Sequence, residues 1–241
     1  MNLKQLLRPA VEALKHYGLP FLLIQICAGF IVFAYYHSPI FQSWCAHAAR
    51  WKTEGGFFFS AWSTVIAGAF LPEIAKFFTG KFAKKVDAAW WRNFSFIIFL
   101  FIIEGIGNDI LFRAQGVIFG YNLNFSTLAS KVLFDQFIWC PLAGIPSYVL
   151  LFTWREERFN LISTFRRYTP SFYKARVLPL LITAWLYWFP IVIFIYAMPA
   201  ALQFCLFLCA TAAWSLLMVF IAQSQGAGKA SGCGGIAALT H

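Results

Sequence analysis

Hydrophobic and polar positions in this chain separate into long blocks. The clearest block runs from Leu178 to Ala222 without one Asp, Glu, Lys or Arg. The hydrocarbon core of a bilayer takes roughly 20 apolar helical residues to cross, so this block predicts two spans with a turn at Ala197-Met198-Pro199-Ala200. The same pattern places six apolar segments at 19–36, 57–76, 94–112, 132–152, 178–197 and 200–222. The first is longer than a signal-peptide core of about 7–15 residues and reads as a retained anchor. Ahead of it, Leu3, Leu6, Leu7, Ala10, Val11 and Leu14 recur at helical spacing, with Lys4, Arg8, Glu12 and Lys15 opposite. That is the pattern of a helix lying in the interface; a transit peptide is the rival, opposed by Glu12 and the absence of serine. Phe41, Trp44, Ala48 and Trp51 allow a second interfacial helix over 39–53, and the Gly-rich stretch 223–241 reads as a flexible tail. The expected fold class is all-α: a polytopic membrane bundle of about six transmembrane helices plus an amphipathic amino-terminal helix. Its parts are an interfacial helix (1–18), a first span and loop (19–56), a five-span core (57–222) and the tail.

Composition agrees. Charged residues make up 12% of the chain, half the roughly 25% of a soluble domain, and the mean hydropathy is +0.69. The formal charge of +10 would suit nucleic acid only if the bases formed a face. Instead they sit at the ends of the apolar segments, so no nucleic-acid partner is expected and the partner is the lipid bilayer. With six spans and both termini inside, fifteen of the nineteen Lys and Arg fall on one side. They are Lys4, Arg8, Lys15, Lys76, Lys81, Lys84, Lys85, Arg92, Arg155, Arg158, Arg166, Arg167, Lys174, Arg176 and Lys229. Only Arg50, Lys52, Arg113 and Lys131 fall on the other. This is the positive-inside bias, and a five-span chain would scramble it. Tyr35, Tyr36, Trp90, Trp91 and Trp154 sit near segment ends, where interfacial aromatics belong.

The polar residues inside the spans are the candidate chemistry. Glu73, Glu104, Asp109 and Asp135 all lie at membrane depth, where a charge costs about 2.5–3.5 kcal/mol on insertion scales and usually faces a cavity or a partner. Glu104, Asn108 and Gln115 share one helical stripe; Lys131 and Asp135 are spaced to pair, with Gln136 beside them, and Arg113 lies one turn after Asp109. Interhelical glue is the competing reading. It weighs equally for the pairable Asp109 and Asp135, while the unpaired Glu104 leans toward a water-lined position. Pro72, Pro141, Pro146 and Pro190 interrupt spans and, in an α-helix, free the carbonyls of Gly68, Phe137, Leu142 and Leu186; Pro199 marks a turn. Ala67-Gly68-Ala69 and Gly105-Ile106-Gly107 allow close helix approach. The six cysteines form no C-x-x-C, the four histidines are scattered, and no nucleophile or phosphate-loop motif occurs. No enzyme, metal or cofactor is expected.

From Lys131 onward the chain resembles the family of the twenty-two-kilodalton peroxisomal membrane protein and the mitochondrial Mpv-seventeen protein. The resemblance rests on Lys131-Val-Leu-Phe-Asp135-Gln136 followed by Pro141, then Tyr168-Thr-Pro170, Trp188-Phe-Pro190, Met198-Pro199 and Trp214-Ser215. Ala67-Gly68-Ala69-Phe-Leu-Pro72-Glu73 loosely resembles the end of the family's first span, and residues 1–55 have no counterpart. Ile191–Tyr196 and Gln203 depart from the family's more polar hairpin. The resemblance implies a weakly selective channel for ions or small metabolites, or a membrane-homeostasis role, and allows a homo-oligomer. It also implies the inner mitochondrial or peroxisomal membrane in a eukaryote, or the cytoplasmic membrane in a bacterium. The expected path-lining residues are Glu104, Asn108, Asp135, Gln136 and Lys131, with Lys131 setting the charge state of Asp135 and the prolines shaping a cavity. The alternative is a non-transporting structural or assembly protein; an intramembrane enzyme ranks third.

Overall fold

A computed structural model of the chain describes residue 22, residues 25–78 and residues 86–229. The expected interfacial helix over 1–18, the bases Lys81, Lys84 and Lys85, and the tail beyond Lys229 lie outside the described residues. Within them the chain is all-helical, with no strand. Helix α1 covers residues 25–37, followed by α2 (Pro39–Phe77), α3 (Ala88–Phe119) and α4 (Phe125–Glu156). The short α5 (Leu161–Arg167), then α6 (Pro170–Ala197) and α7 (Ala200–Lys229) complete the chain. Four of these, α2, α3, α4 and α6, are long and apolar enough to cross a membrane; α7 adds the shorter apolar run Ala201–Leu217. Only 22–44% of their most apolar stretches is buried within the protein. Side chains such as Val117, Leu142, Phe137 and Leu186 face outward, as lipid-facing positions do and a soluble surface rarely does.

Local chemistry fixes where the helices begin and stop. Ser38 accepts a hydrogen bond from the Phe41 amide at 3.3 Å, and Pro39 occupies the first turn, where its missing N–H costs nothing. Asn124 caps α4 through the Thr127 amide at 2.8 Å. Gly120 ends α3 at φ 82°, the left-handed stop that favours glycine. At 39 residues, α2 would be nearly twice the bilayer's thickness, but Gly56, at φ 52° and ψ −135°, breaks it. The break separates the predicted interfacial stretch 39–53 from the span predicted to start at 57. No residue with a Cβ adopts that conformation cheaply. Gly56→Ala is therefore expected to cost about 1–3 kcal/mol, read as a lower thermal-unfolding midpoint in detergent.

Three π-helical segments, with i→i+5 hydrogen bonding, interrupt the rods: Ile66–Phe70 in α2, Asp135–Gly144 in α4 and Tyr173–Val177 in α6. α7 continues to Lys229, seven residues past the predicted span end at Ala222. Helix α6 ends and α7 begins at the predicted turn, with Met198 and Pro199 outside both helices. The described residues form two compact units, those up to Asp109 together with those from Met198 onward, and Ile110–Ala197. In the first, α7 packs on α2 and its π turn, and Phe59 meets Phe204 with ring centroids 5.7 Å apart. A Cβ on Gly68 would fall on the Phe101 ring, and one on Gly105 would come within 2.7 Å of the Ser60 carbonyl oxygen. Both small-residue runs thus sit at close helix contacts. In the second unit, α4 packs on α6 around Val132, Val192 and Tyr196, with Phe112, Leu128 and Trp188 against them.

Candidate functional site: a buried polar cluster at the π segment of α4

Asp135 opens the ten-residue π segment. Most π-helices are single turns and many mark functional sites, so a segment of this length beginning on a buried carboxylate singles the position out. The Tyr196 hydroxyl, from α6, donates to Asp135 Oδ2 at 3.0 Å. Gln115, near the end of α3, is 1% exposed; its Nε2 donates to the Lys131 carbonyl at 3.2 Å, and its side chain also bonds the Tyr196 hydroxyl. Gln115, Tyr196 and Asp135 therefore form one chain of hydrogen bonds inside the Ile110–Ala197 unit. Gln136, also 1% exposed, follows Asp135. The amide oxygens of Gln115 and Gln136 are buried without hydrogen-bond partners among the described residues. The π segment thus opens on a buried carboxylate, and the unspent amide oxygens of Gln115 and Gln136 are buried in the same unit.

The π register changes which carbonyl proline releases. In an α-helix Pro141 would free Phe137, but with i→i+5 bonding the orphan is the carbonyl of Gln136. Trp185 Nε1, from α6, donates to that carbonyl at 2.7 Å. The Pro141 carbonyl in turn accepts from the Tyr173 hydroxyl at 2.9 Å. The backbone groups disturbed by proline are thus met by polar tips of aromatic side chains, because lipid cannot meet them. Trp185→Phe should leave the Gln136 carbonyl unpaired and cost about 1–3 kcal/mol. A detergent denaturation midpoint matching wild type would refute this.

Lys131 does not pair with Asp135. Its ammonium lies over the Tyr121 ring, 5.5 Å from the centroid, and Asp135 takes the Tyr196 hydroxyl instead, so the expected Lys131–Asp135 ion pair is not formed. Of the other expected lining residues, Glu104 and Asn108 belong to the first unit and are half-buried. Glu104 is engaged in an interaction with its surroundings, which corrects its reading as an unpaired carboxylate. Asp109, 3% exposed, has Lys52 Nζ at 3.9 Å, a partner that sequence spacing did not suggest. The same ammonium lies 4.8 Å from the Phe204 ring centroid. The prolines divide: Pro72 and Pro146 are buried, Pro141 and Pro199 half-buried, and Pro190 exposed within α6. The Gly68 carbonyl, the group Pro72 was expected to free, accepts from the Ser215 hydroxyl at 2.5 Å. Pro199 starts α7 by receiving the Leu202 and Gln203 amides at 2.8 and 3.2 Å.

Sequence reading missed Tyr196, Trp185 and Tyr173 as members of the site. A signal existed. Trp185 and Tyr196 lie eleven positions apart in an uncharged block, within about 20° of each other on a helix, and a buried Tyr or Trp needs a partner for its polar tip. No group of three or more His, Cys, Asp or Glu able to hold a metal occurs among the described residues. These features define an all-helical protein with membrane-spanning character and a polar cluster within its apolar helices. Comparison with family models, with curated proteins and with solved structures returns no match.

Proposed function

We propose that this protein is a weakly selective membrane channel for ions or small metabolites, with Asp135 on its path. The observation that carries the reading is the π segment beginning at Asp135, with a carboxylate and two unspent amide oxygens held in apolar surroundings. A bundle that needed only cohesion would do better with a fully satisfied polar network or an apolar one. The proposed resemblance to the Mpv-seventeen family, centred on Lys131, Asp135, Gln136 and Pro141, points to the same activity. It brings with it a possible homo-oligomer and an organelle or bacterial inner membrane as parts of the proposal, to which the apolar segments and the charge bias add the six-span arrangement.

A structural role is the second reading, favoured by the Tyr196–Asp135, Trp185–Gln136 and Tyr173–Pro141 bonds, which tie α4 to α6. Efflux of trapped ions and small solutes from vesicles carrying purified protein separates the two. The channel reading expects efflux above empty vesicles and an altered cation-to-anion ratio in Asp135→Asn, which keeps an acceptor for Tyr196. The structural reading expects lower stability in that variant and no efflux from either protein.

A further inference from the structure

The connection between α4 and α6 carries a surface that the channel reading does not use. Thr153, Trp154 and Arg155 end α4 by accepting, through their carbonyls, the amides of Glu157, Phe159 and Arg158 at 2.9, 2.8 and 3.1 Å. Arg158 and Phe159 then take φ of 53° and 65°, a left-handed conformation that residues with a Cβ rarely adopt. Asn160 caps α5 through the Ser163 amide at 3.1 Å. At 100° per residue, α5 has two faces. Thr164 and Arg167 lie on one; Leu161, Phe165, Ile162 and Arg166 occupy the other, with Arg166 at its edge.

The inward face is satisfied. Thr164 is buried and its hydroxyl donates to the Asn160 carbonyl at 2.7 Å. Arg167 pairs with Glu157 and with Glu156 at 3.8 Å, and Arg176 holds Glu156 through both guanidinium nitrogens at 3.0 and 3.4 Å. The only two acids of the connection are thereby committed. The outward face is largely uncovered by the described residues: Phe159, whose ring meets Trp154 edge-on at 5.0 Å, Leu161, Ile162 and Phe165 are 52–74% exposed. Arg158, in the turn that leads into α5, and Arg166, at the edge of this face, are exposed as well, and neither has a carboxylate partner among the described residues. Four largely exposed apolar side chains and two exposed guanidiniums without a carboxylate call for an occupant that is apolar and anionic at once.

We infer that α5 and the preceding Arg158–Phe159 turn form a binding site for an anionic phospholipid. Its acyl chains cover Phe159, Leu161, Ile162 and Phe165, and its phosphate lies between Arg158 and Arg166. The source is the bilayer itself, on the side where basic residues gather and anionic lipids concentrate. Guanidinium suits the role because its planar fork matches phosphate oxygens. A zwitterionic lipid offers the same tails but cancels the phosphate charge, so the site discriminates by headgroup.

The test is lipid retention by the purified full-length chain in a neutral detergent, given equal phosphatidylglycerol and phosphatidylcholine and read by mass spectrometry of the intact complex. Wild type should retain phosphatidylglycerol preferentially. At about 1 kcal/mol per basic residue near an anionic surface, Arg158→Gln with Arg166→Gln should reduce that preference roughly tenfold or more. Arg158→Lys with Arg166→Lys should keep most of it. Raising ionic strength from about 0.05 to 0.5 M should erode the wild-type preference by screening, a readout that needs no variant to fold. Equal retention of both lipids by wild type, a preference unmoved by salt, or an undiminished preference in the folded double-Gln variant would overturn the assignment.

Discussion

Gly105→Leu is expected to prevent recovery of folded protein, whereas Gly29→Leu is expected to leave the unfolding midpoint unchanged. A Cβ at Gly105 would lie 2.7 Å from the Ser60 carbonyl oxygen, 2.8 Å from Ala61 Cα and 2.9 Å from Thr64 Oγ1; at Gly29 no described residue lies within 4 Å. Two of the three atoms facing Gly105 are backbone, so they cannot rotate aside, and Ser60, Ala61 and Thr64 are all buried. Overpacking a well-packed core typically costs about 1–3 kcal/mol. Pushing α2 from α3 should cost about 3 kcal/mol or more, a large share of a typical stability. Circular dichroism melts in detergent decide it: similar midpoints for the two variants would mean that α2 and α3 do not approach at Gly105.

Tyr196→Phe should carry the largest effect of any single-atom change. It deletes one oxygen and leaves the buried Asp135 carboxylate without the hydroxyl that donates to it at 3.0 Å. Hydrogen bonds to charged groups contribute about 1.5–3 kcal/mol, and leaving the acceptor unsatisfied adds to the loss. The Gln115 amide loses the same partner. A double-mutant cycle with Asp135→Asn isolates the pair. The expected coupling is about 1–2 kcal/mol, because the amide of Asn is a weaker acceptor than the carboxylate of Asp. Additive effects of the two substitutions would show that the hydroxyl and the carboxylate do not interact.

How far the sequence alone reached depended on the range of the interaction. The apolar blocks marked the helices because burial in lipid demands length and lack of charge, both local properties. Pro199 marked the turn between the last two predicted spans, and α6 and α7 meet there, whereas the break at Gly56 was not anticipated. The Gly68 carbonyl was anticipated as a group needing a donor, although the donor, Ser215, lies 147 positions away and nothing local points to it. The polar cluster was half legible. Asp135 and Gln136 stood out as costly residues in an apolar setting, but their partners did not. Spacing of i and i+4 favoured Lys131 for Asp135, yet the ammonium settles over Tyr121 and a tyrosine 61 positions on takes the carboxylate. The π segment left no periodic trace, since a shift from i+4 to i+5 bonding over ten residues alters no hydrophobic pattern that a 3.6-residue reading detects. That shift moved the carbonyl freed by Pro141 from Phe137 to Gln136, and with it the role of Trp185.

The central claim, that Asp135 lies on a conduction path, is tested most directly by single-channel recording of the purified protein in planar bilayers, beside Asp135→Asn. Discrete conductance steps in wild type, with a reversal potential under a salt gradient that moves toward anion preference in the variant, is the expected result. Bilayers that stay silent with protein shown to be folded, or conductance with identical reversal potentials in both proteins, would contradict it.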